Sequence, residues 1–217
     1  MGKLKLLFFL WGMFYSLLGI TASEISLKNW IGEDSSGKFK MTKVDDCLDI
    51  VSPDGLTLWY DDCLTGNYEI SYRIKVVMEG GKYDRLSDMN CFWGAKDLKY
   101  PDNIYARKDW RAGIFKNYNT LNLFYVGYGG NENKTTRFRE YHSEFYGIDE
   151  NKIKPLVKEY TDEAHLLKPN RWYEVVITVT DGKTTFAVDG EELFCHPISR
   201  GRGMDILPFV CGKIMYK

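Results

Sequence analysis

Short stretches of β-branched and aromatic residues, broken every few positions by Gly, Asp, Asn or Pro, recur from residue 38 to residue 195. Runs of this length and composition predict strands, because branched and aromatic side chains pack well on a pleated surface. The strands expected are 38–44, 47–51, 56–60, 68–76, 89–93, 121–128, 134–141, 172–180, 184–188 and 192–195. Asp181-Gly182 lies between two of them and is a strong hairpin signal, since both residue types tolerate positive φ. Asp189-Gly190 supplies a second turn. Helical signal is thin: 153–160 predicts a short turn of helix, and 108–115 a loop with a bend. Many short strands separated by turn residues predict an all-β sandwich or jelly roll rather than a parallel sheet. The long connections 97–120 and 142–170 are expected to be functional or unusually well packed.

The amino terminus follows a different pattern. Lys3 and Lys5 precede an apolar run from Leu6 to Ile20, and the small residues Thr21, Ala22 and Ser23 follow it. This reads as a secretory signal over residues 1–23. The run falls short of the roughly 20 apolar residues of a spanning helix. The expectation is therefore a single β-sandwich domain over 24–217, periplasmic or extracellular, with no stable membrane span after signal removal. A net charge of −1 with signs well mixed gives no reason to expect nucleic acid as a partner. Aromatic residues make up 15% of the chain. Tyr and Trp combine a flat apolar face with a polar edge, which suits sugar stacking as well as a sheet core. Cysteines number five, an odd count for a fully paired monomer. Cys47 and Cys63 flank the turn Ser52-Pro53-Asp54-Gly55 and are the candidate pair for a cross-strand bridge. No Cys/His cluster has zinc-site spacing. Asp61, Asp62, Asp102 and Asn103 lack calcium-loop spacing. Neither a metal nor a cofactor is expected.

The middle of the chain is distinctive. It contains Gly80-Gly81-Lys82-Tyr83-Asp84-Arg85-Leu86-Ser87-Asp88-Met89-Asn90-Cys91-Phe92-Trp93, Arg111-Ala112-Gly113, Leu123-Phe124-Tyr125-Val126-Gly127-Tyr128-Gly129-Gly130-Asn131 and Thr135-Thr136-Arg137-Phe138-Arg139-Glu140-Tyr141. With Trp172-Tyr173-Glu174, these blocks resemble an uncharacterised family of bacterial jelly-roll proteins with the concanavalin A-like lectin/glucanase fold. Members are encoded in polysaccharide-utilisation loci, with relatives in rhamnogalacturonan-utilisation operons. The resemblance implies a setting in glycan breakdown outside the cytoplasm more than a reaction. Residues 204–217 depart from the family's ending, a Gly-aromatic strand, a Trp or His loop and a closing strand. A frameshifted tail replacing the native last strand is one account of that departure.

Arg137, Arg139 and Tyr141 share one face of their expected strand, with Phe138 turned to the core, because strand side chains alternate. Two guanidinium forks can each take both oxygens of a carboxylate, such as that of a uronic acid. The competing reading is a solvated face in which these arginines pair with nearby Asp or Glu. As a lyase, the site would neutralise a uronate with Arg137 or Arg139 and move protons through Tyr141, His142 or His165. As a hydrolase it would need two carboxyl groups, with Asp84, Asp88, Asp97 and Glu140 as candidates. Tyr128, Asn131 and Trp110 complete the expected sugar contacts, and Tyr125 and Tyr128 fall on opposite strand faces. The function expected is an exported carbohydrate-active protein acting on an acidic plant-type glycan as lyase or hydrolase. The alternative is a non-catalytic carbohydrate-binding module.

Overall fold

Alternation along each strand sends one set of side chains between two sheets and the other set outward. The structure, a computed structural model, describes residues 3–7, 26–62, 64–180, 182–198 and 210–214, the first and last of these as backbone only. The strands are β1 (Lys3–Leu7), β2 (Trp30–Asp34), β3 (Lys40–Val44), β4 (Cys47–Val51), β5 (Leu56–Tyr60), β6 (Tyr68–Val77) and β7 (Met89–Lys96). They continue with β8 (Asn122–Gly129), β9 (Thr135–Tyr141), β10 (Leu156–Tyr160), β11 (Trp172–Thr180), β12 (Lys183–Val188), β13 (Glu191–Pro197) and β14 (Val210–Ile214). The first sheet has the order β13-β12-β11-β6-β1-β4-β3 and the second β10-β9-β8-β7-β14-β5-β2. Non-sequential neighbours within each sheet are what a jelly roll requires.

The core between the sheets takes Ile70, Tyr72, Ile74 and Val76 from β6 and Tyr173, Val175, Ile177 and Val179 from β11. The second sheet answers with Cys91, Trp93, Phe124, Val126 and Phe138. Trp93 stacks on Phe186 across the gap, and its Nε1 donates to Thr184 Oγ1 at 2.9 Å. The one polar atom of that ring is thereby satisfied in the interior.

A second apolar cluster lies on the other side of the second sheet. Trp59, Phe92, Leu123, Tyr125 and Tyr141 project there, and Ile104, Tyr118 and Leu121 of the long connection pack onto them. The expected bend at 108–115 is one helical turn, Lys108–Arg111, followed by a 3-10 segment, Phe115–Thr120. This connection is the unusually well packed kind.

Four strands differ from expectation. Residues 156–160 form a strand, not a helix, because the open edge of β9 offers them hydrogen-bonding partners that outweigh local propensity. The strand Trp30–Asp34, unforeseen, pairs with β5 at the far edge of the same sheet. Lys3–Leu7, within the expected signal, occupies the middle of the first sheet. Val210–Ile214, within the atypical tail, lies between β7 and β5. The expected cleavage site, Cys63 of the candidate bridge to Cys47, and Asp181 of the hairpin signal lie outside the described residues. The hairpin itself is present, with Thr180 opposite Lys183. Among the described residues no helix is long and apolar enough to cross a membrane.

Candidate functional site

Registry across the second sheet brings the distinctive residues into rows on its outer face. Asn90 of β7 is opposite Gly127 of β8, Gly127 is opposite Arg137 of β9, and Arg137 is opposite Glu159 of β10. In the next row Phe92 is opposite Tyr125, and Tyr125 is opposite Arg139. Directly opposed residues stand about 4.5–5.5 Å apart at Cβ, so each row is a continuous strip of contacts. Arg137, Arg139 and Tyr141 do share one face, and Phe138 is buried on the other, 1% exposed.

Gly127 sets the position of Tyr125. A Cβ at residue 127 would collide with the Tyr125 phenol, so the missing side chain lets that ring lie across β8. Burial raises the Tyr125 phenol well above its ordinary value, Asp88 adds to the effect, and Arg139 and Arg137 oppose it. The hydroxyl is therefore a neutral hydrogen-bonding group at physiological pH. The amide oxygen of Asn90 is buried without a protein partner in the neighbouring row.

The face carries an excess of cations. Arg137 is held by Glu159, with Nε to Oε2 at 2.8 Å. Arg139 Nη1 donates to the Lys154 carbonyl at 2.5 Å. The Lys154 ammonium has its pKa lowered, first by burial and then by Arg139 and Lys116, against an opposing effect from Glu150. It also lies 4.9 Å from the Phe115 ring centroid. Arg139 and Lys116 are thus the cationic neighbours of Lys154, and Glu150 its acidic one, beside the aromatic floor.

The long connection packs onto this face and is pinned by one fully buried ion pair and by a second in which only the carboxylate is buried. Arg111 Nη2 and Glu33 Oε1 are 2.5 Å apart with both side chains fully buried, and the Tyr118 hydroxyl donates to the other Glu33 oxygen. Arg107 makes a bidentate pair with Asp97, Nε donating to Oδ2 at 2.8 Å and Nη2 to Oδ1 at 2.7 Å. The guanidinium so fixed lies 5.6 Å from the Tyr100 ring centroid and 5.7 Å from that of Trp110. Both rings keep substantial exposure, 37% and 47%. An anchored arginine flanked by two exposed aromatic rings is a rigid stacking surface.

The remaining expected contacts scatter. Tyr128 is a correction: it points into the inter-sheet core, 5.6 Å from the Tyr173 ring, so Tyr125 is the tyrosine on the arginine face. Tyr141 is on that face but sealed, 0% exposed, and burial raises its phenol well above the ordinary value. A sealed phenol that holds its proton so firmly makes a poor base. The His142 ring lies 3.7 Å from Glu140 and 3.5 Å from Glu144, beyond the end of β9. His165 stacks on Tyr160 at 4.0 Å and pairs with Asp162 and Glu191, on the core-facing side of β9 where Thr136 reaches its carbonyl. Asn131 sits exposed in a turn with φ 54°. Trp110 lies on the long connection, its exposed ring 5.7 Å from the Arg107 guanidinium.

The four candidate carboxylates do not converge either. Asp84 accepts from the Glu79 and Gly81 amides, and Asp88 pairs with Arg85 at 3.1 Å. Asp97 is bound to Arg107, and Glu140 faces His196 at 3.1 Å on the side opposite the arginine row. Asn90, Lys154, Tyr100 and Arg107 were missed, and Tyr125 takes the place expected for Tyr128. The Arg-x-Arg alternation marked β9, but nothing local shows which neighbours a cross-strand register brings beside it.

Two facing antiparallel sheets in this order define a concanavalin A-like β-sandwich, or jelly roll. The chain belongs to the family described as Domain of unknown function (DUF6250), matched over residues 50–202. Among solved structures it is similar to a Bacillus subtilis protein of unknown function with galectin-like fold, 12% identical, TM-score 0.61, covering 87% of this chain and 84% of that one. It is also similar to a GH16 protein from a Bacteroides ovatus mixed-linkage glucan locus, solved with a G4G4G3G product. That match is 12% identical, with a TM-score of 0.52, and covers 88% of this chain and 83% of that one. These likenesses establish the fold. No curated protein matches the chain.

Proposed function

We propose that the chain binds carbohydrate on the outer face of the second sheet, and that its ligand is a glycan bearing carboxylates. The observation carrying this reading is Lys154 with its cationic neighbours Arg139 and Lys116, set beside Phe115 and Tyr125. A lysine whose charge is disfavoured by burial and by neighbouring cations gains stabilisation from an incoming anion. Trp110 and Tyr100 supply an apolar face on which a pyranose ring can stack.

Binding is favoured over cleavage because hydrolysis needs two carboxyl groups flanking one bond, and each candidate carboxylate here is engaged elsewhere. The GH16 relative was solved with an oligosaccharide product, which agrees with a glycan-handling role for this sandwich. The setting that accompanies this reading is export and polysaccharide utilisation outside the cytoplasm.

Calorimetric titration with polygalacturonate oligomers and with a neutral glucan of equal length tests the proposal. The acidic oligomer should bind, weaken with added salt, and leave without new reducing ends or ultraviolet-absorbing unsaturated products. Equal affinity for the neutral glucan would remove the acidic specificity, and no binding to either would overturn the reading. Product formation would replace binding with catalysis.

A further inference from the structure

The first sheet contains a strand drawn from the very start of the chain. Lys3–Leu7 pairs antiparallel with β4 on one side, Lys3 opposite Val51 and Leu7 opposite Cys47. On the other side it pairs antiparallel with β6, Lys3 opposite Val77 and Leu7 opposite Arg73. Among the described residues β4 and β6 are not otherwise neighbours, so there these five residues join β13-β12-β11-β6 to the β4–β3 hairpin. The sequence suits the position. Leu4 is in register with Ile50 and Val76, and Leu6 with Leu48 and Ile74, all four of which are buried core residues. Lys3 and Lys5 fall at the alternate positions, and Lys5 is opposite Asp49. Alternation of apolar and polar residues is what a strand with one buried face demands.

We infer that the slot between β4 and β6 is a strand-acceptor site whose occupant in the full-length chain is Lys3–Leu7. Backbone hydrogen bonding along both edges supplies affinity, and the register of the second and fourth residues with the core supplies selectivity. Any competing occupant must be an extended peptide, antiparallel to both β4 and β6, with apolar residues at those two places. Residues 3–7 also span the positively charged start and the first two apolar residues of the expected secretory signal. Signal removal would take this strand away, leaving two unpaired edges and a hairpin that is marginal by itself. Processing and completion of the sheet are thereby coupled.

Hydrogen exchange on the full-length chain provides the first test. The amides of residues 4–7 should exchange at least about tenfold more slowly than in an unstructured peptide. The double variant Leu4→Asp/Leu6→Asp should lose that protection and also speed exchange at 48–50 and 74–76. Unprotected amides at 4–7 beside protected flanking strands in the unsubstituted chain would overturn the inference. The second test adds a synthetic peptide of residues 1–7 to a chain beginning at residue 24 and follows thermal unfolding. The peptide should raise the transition, whereas the same peptide with both leucines changed to Asp should not. Equal effects of the two peptides would overturn it, and if the shortened chain does not fold, the exchange experiment decides alone.

Discussion

Arg137 and Glu159 oppose each other across β9 and β10, with the guanidinium Nε 2.8 Å from the Glu159 carboxylate. Arg137, next to Arg139 on the same face, already holds an internal anion, so a ligand carboxylate at Arg137 competes with Glu159. Both side chains are partly exposed, which keeps the pair weak in isolation. Glu159→Gln removes the competitor while preserving shape. It should raise affinity for an acidic oligosaccharide by roughly tenfold, equivalent to about 1.4 kcal/mol, with no change for a neutral one. Arg137→Met should lower acidic binding in the same titration. An unchanged affinity in both variants would place the carboxylate elsewhere on the face.

Tyr100 and Trp110 flank the guanidinium of Arg107, which Asp97 fixes from beneath. The rings are therefore oriented before any ligand arrives, which reduces the entropy cost of binding. Trp110→Ala should weaken glycan binding by about 1–2 kcal/mol. Stability should change by less than about 0.5 kcal/mol, because the ring is largely exposed. Asp97→Asn should behave oppositely, costing stability because its carboxylate is buried against Arg107. Urea unfolding of the two variants beside their binding isotherms separates the roles.

Strand positions were legible where branched and aromatic residues alternate between turns: the bounds of 47–51, 56–60 and 172–180 agree with the observed strands to the residue. The role of Phe138 and the shared face of Arg137 and Arg139 followed from period two alone. What sequence could not supply was register. That Asn90, Gly127 and Arg137 form one strip depends on pairings between segments far apart in the chain. Leu156 to Tyr160 shows the limit from the other side: the open β9 edge, invisible locally, makes it a strand. The pinning of the long connection by Arg111 was equally hidden, because its partner Glu33 lies 78 positions away.

The Arg111–Glu33 pair is fully buried, and Tyr118 donates to the same carboxylate. Removing one member leaves the other as an uncompensated charge in a dry environment. Arg111→Met should therefore destabilise the domain by about 3–5 kcal/mol. Changing both, Arg111→Met with Glu33→Met, should cost less than the sum of the single changes. Tyr118→Phe removes one donor and should cost about 1–3 kcal/mol. These values are read from urea midpoints at constant slope. A strictly additive double variant would mean that the two side chains do not act as a unit. Since they anchor the connection that carries Trp110, Arg111→Met should also weaken glycan binding under conditions where the protein remains folded.

His165 is governed by acid–base balance of a different kind. Burial by itself lowers the pKa of its imidazole, but Asp162 and Glu191 together outweigh that effect and the net shift is upward. A native value above the unfolded one means that the folded chain binds the proton more tightly. The resulting stabilisation is complete below the unfolded value, about pH 6.5, and disappears as pH rises through the raised native value. Glu191 begins β13, so the protonated ring ties the 163–165 turn to the first sheet only in the acidic part of this window. His165→Gln should therefore be less stable than the unsubstituted chain at about pH 5.5, with the part of the difference due to ion pairing gone at about pH 9. Stacking of the ring on Tyr160 is independent of that proton and sets the difference that remains at high pH. A stability gap of constant size from pH 5.5 to pH 9, measured by chemical unfolding at about 0.15 M salt, would show that the proton contributes nothing to holding the turn.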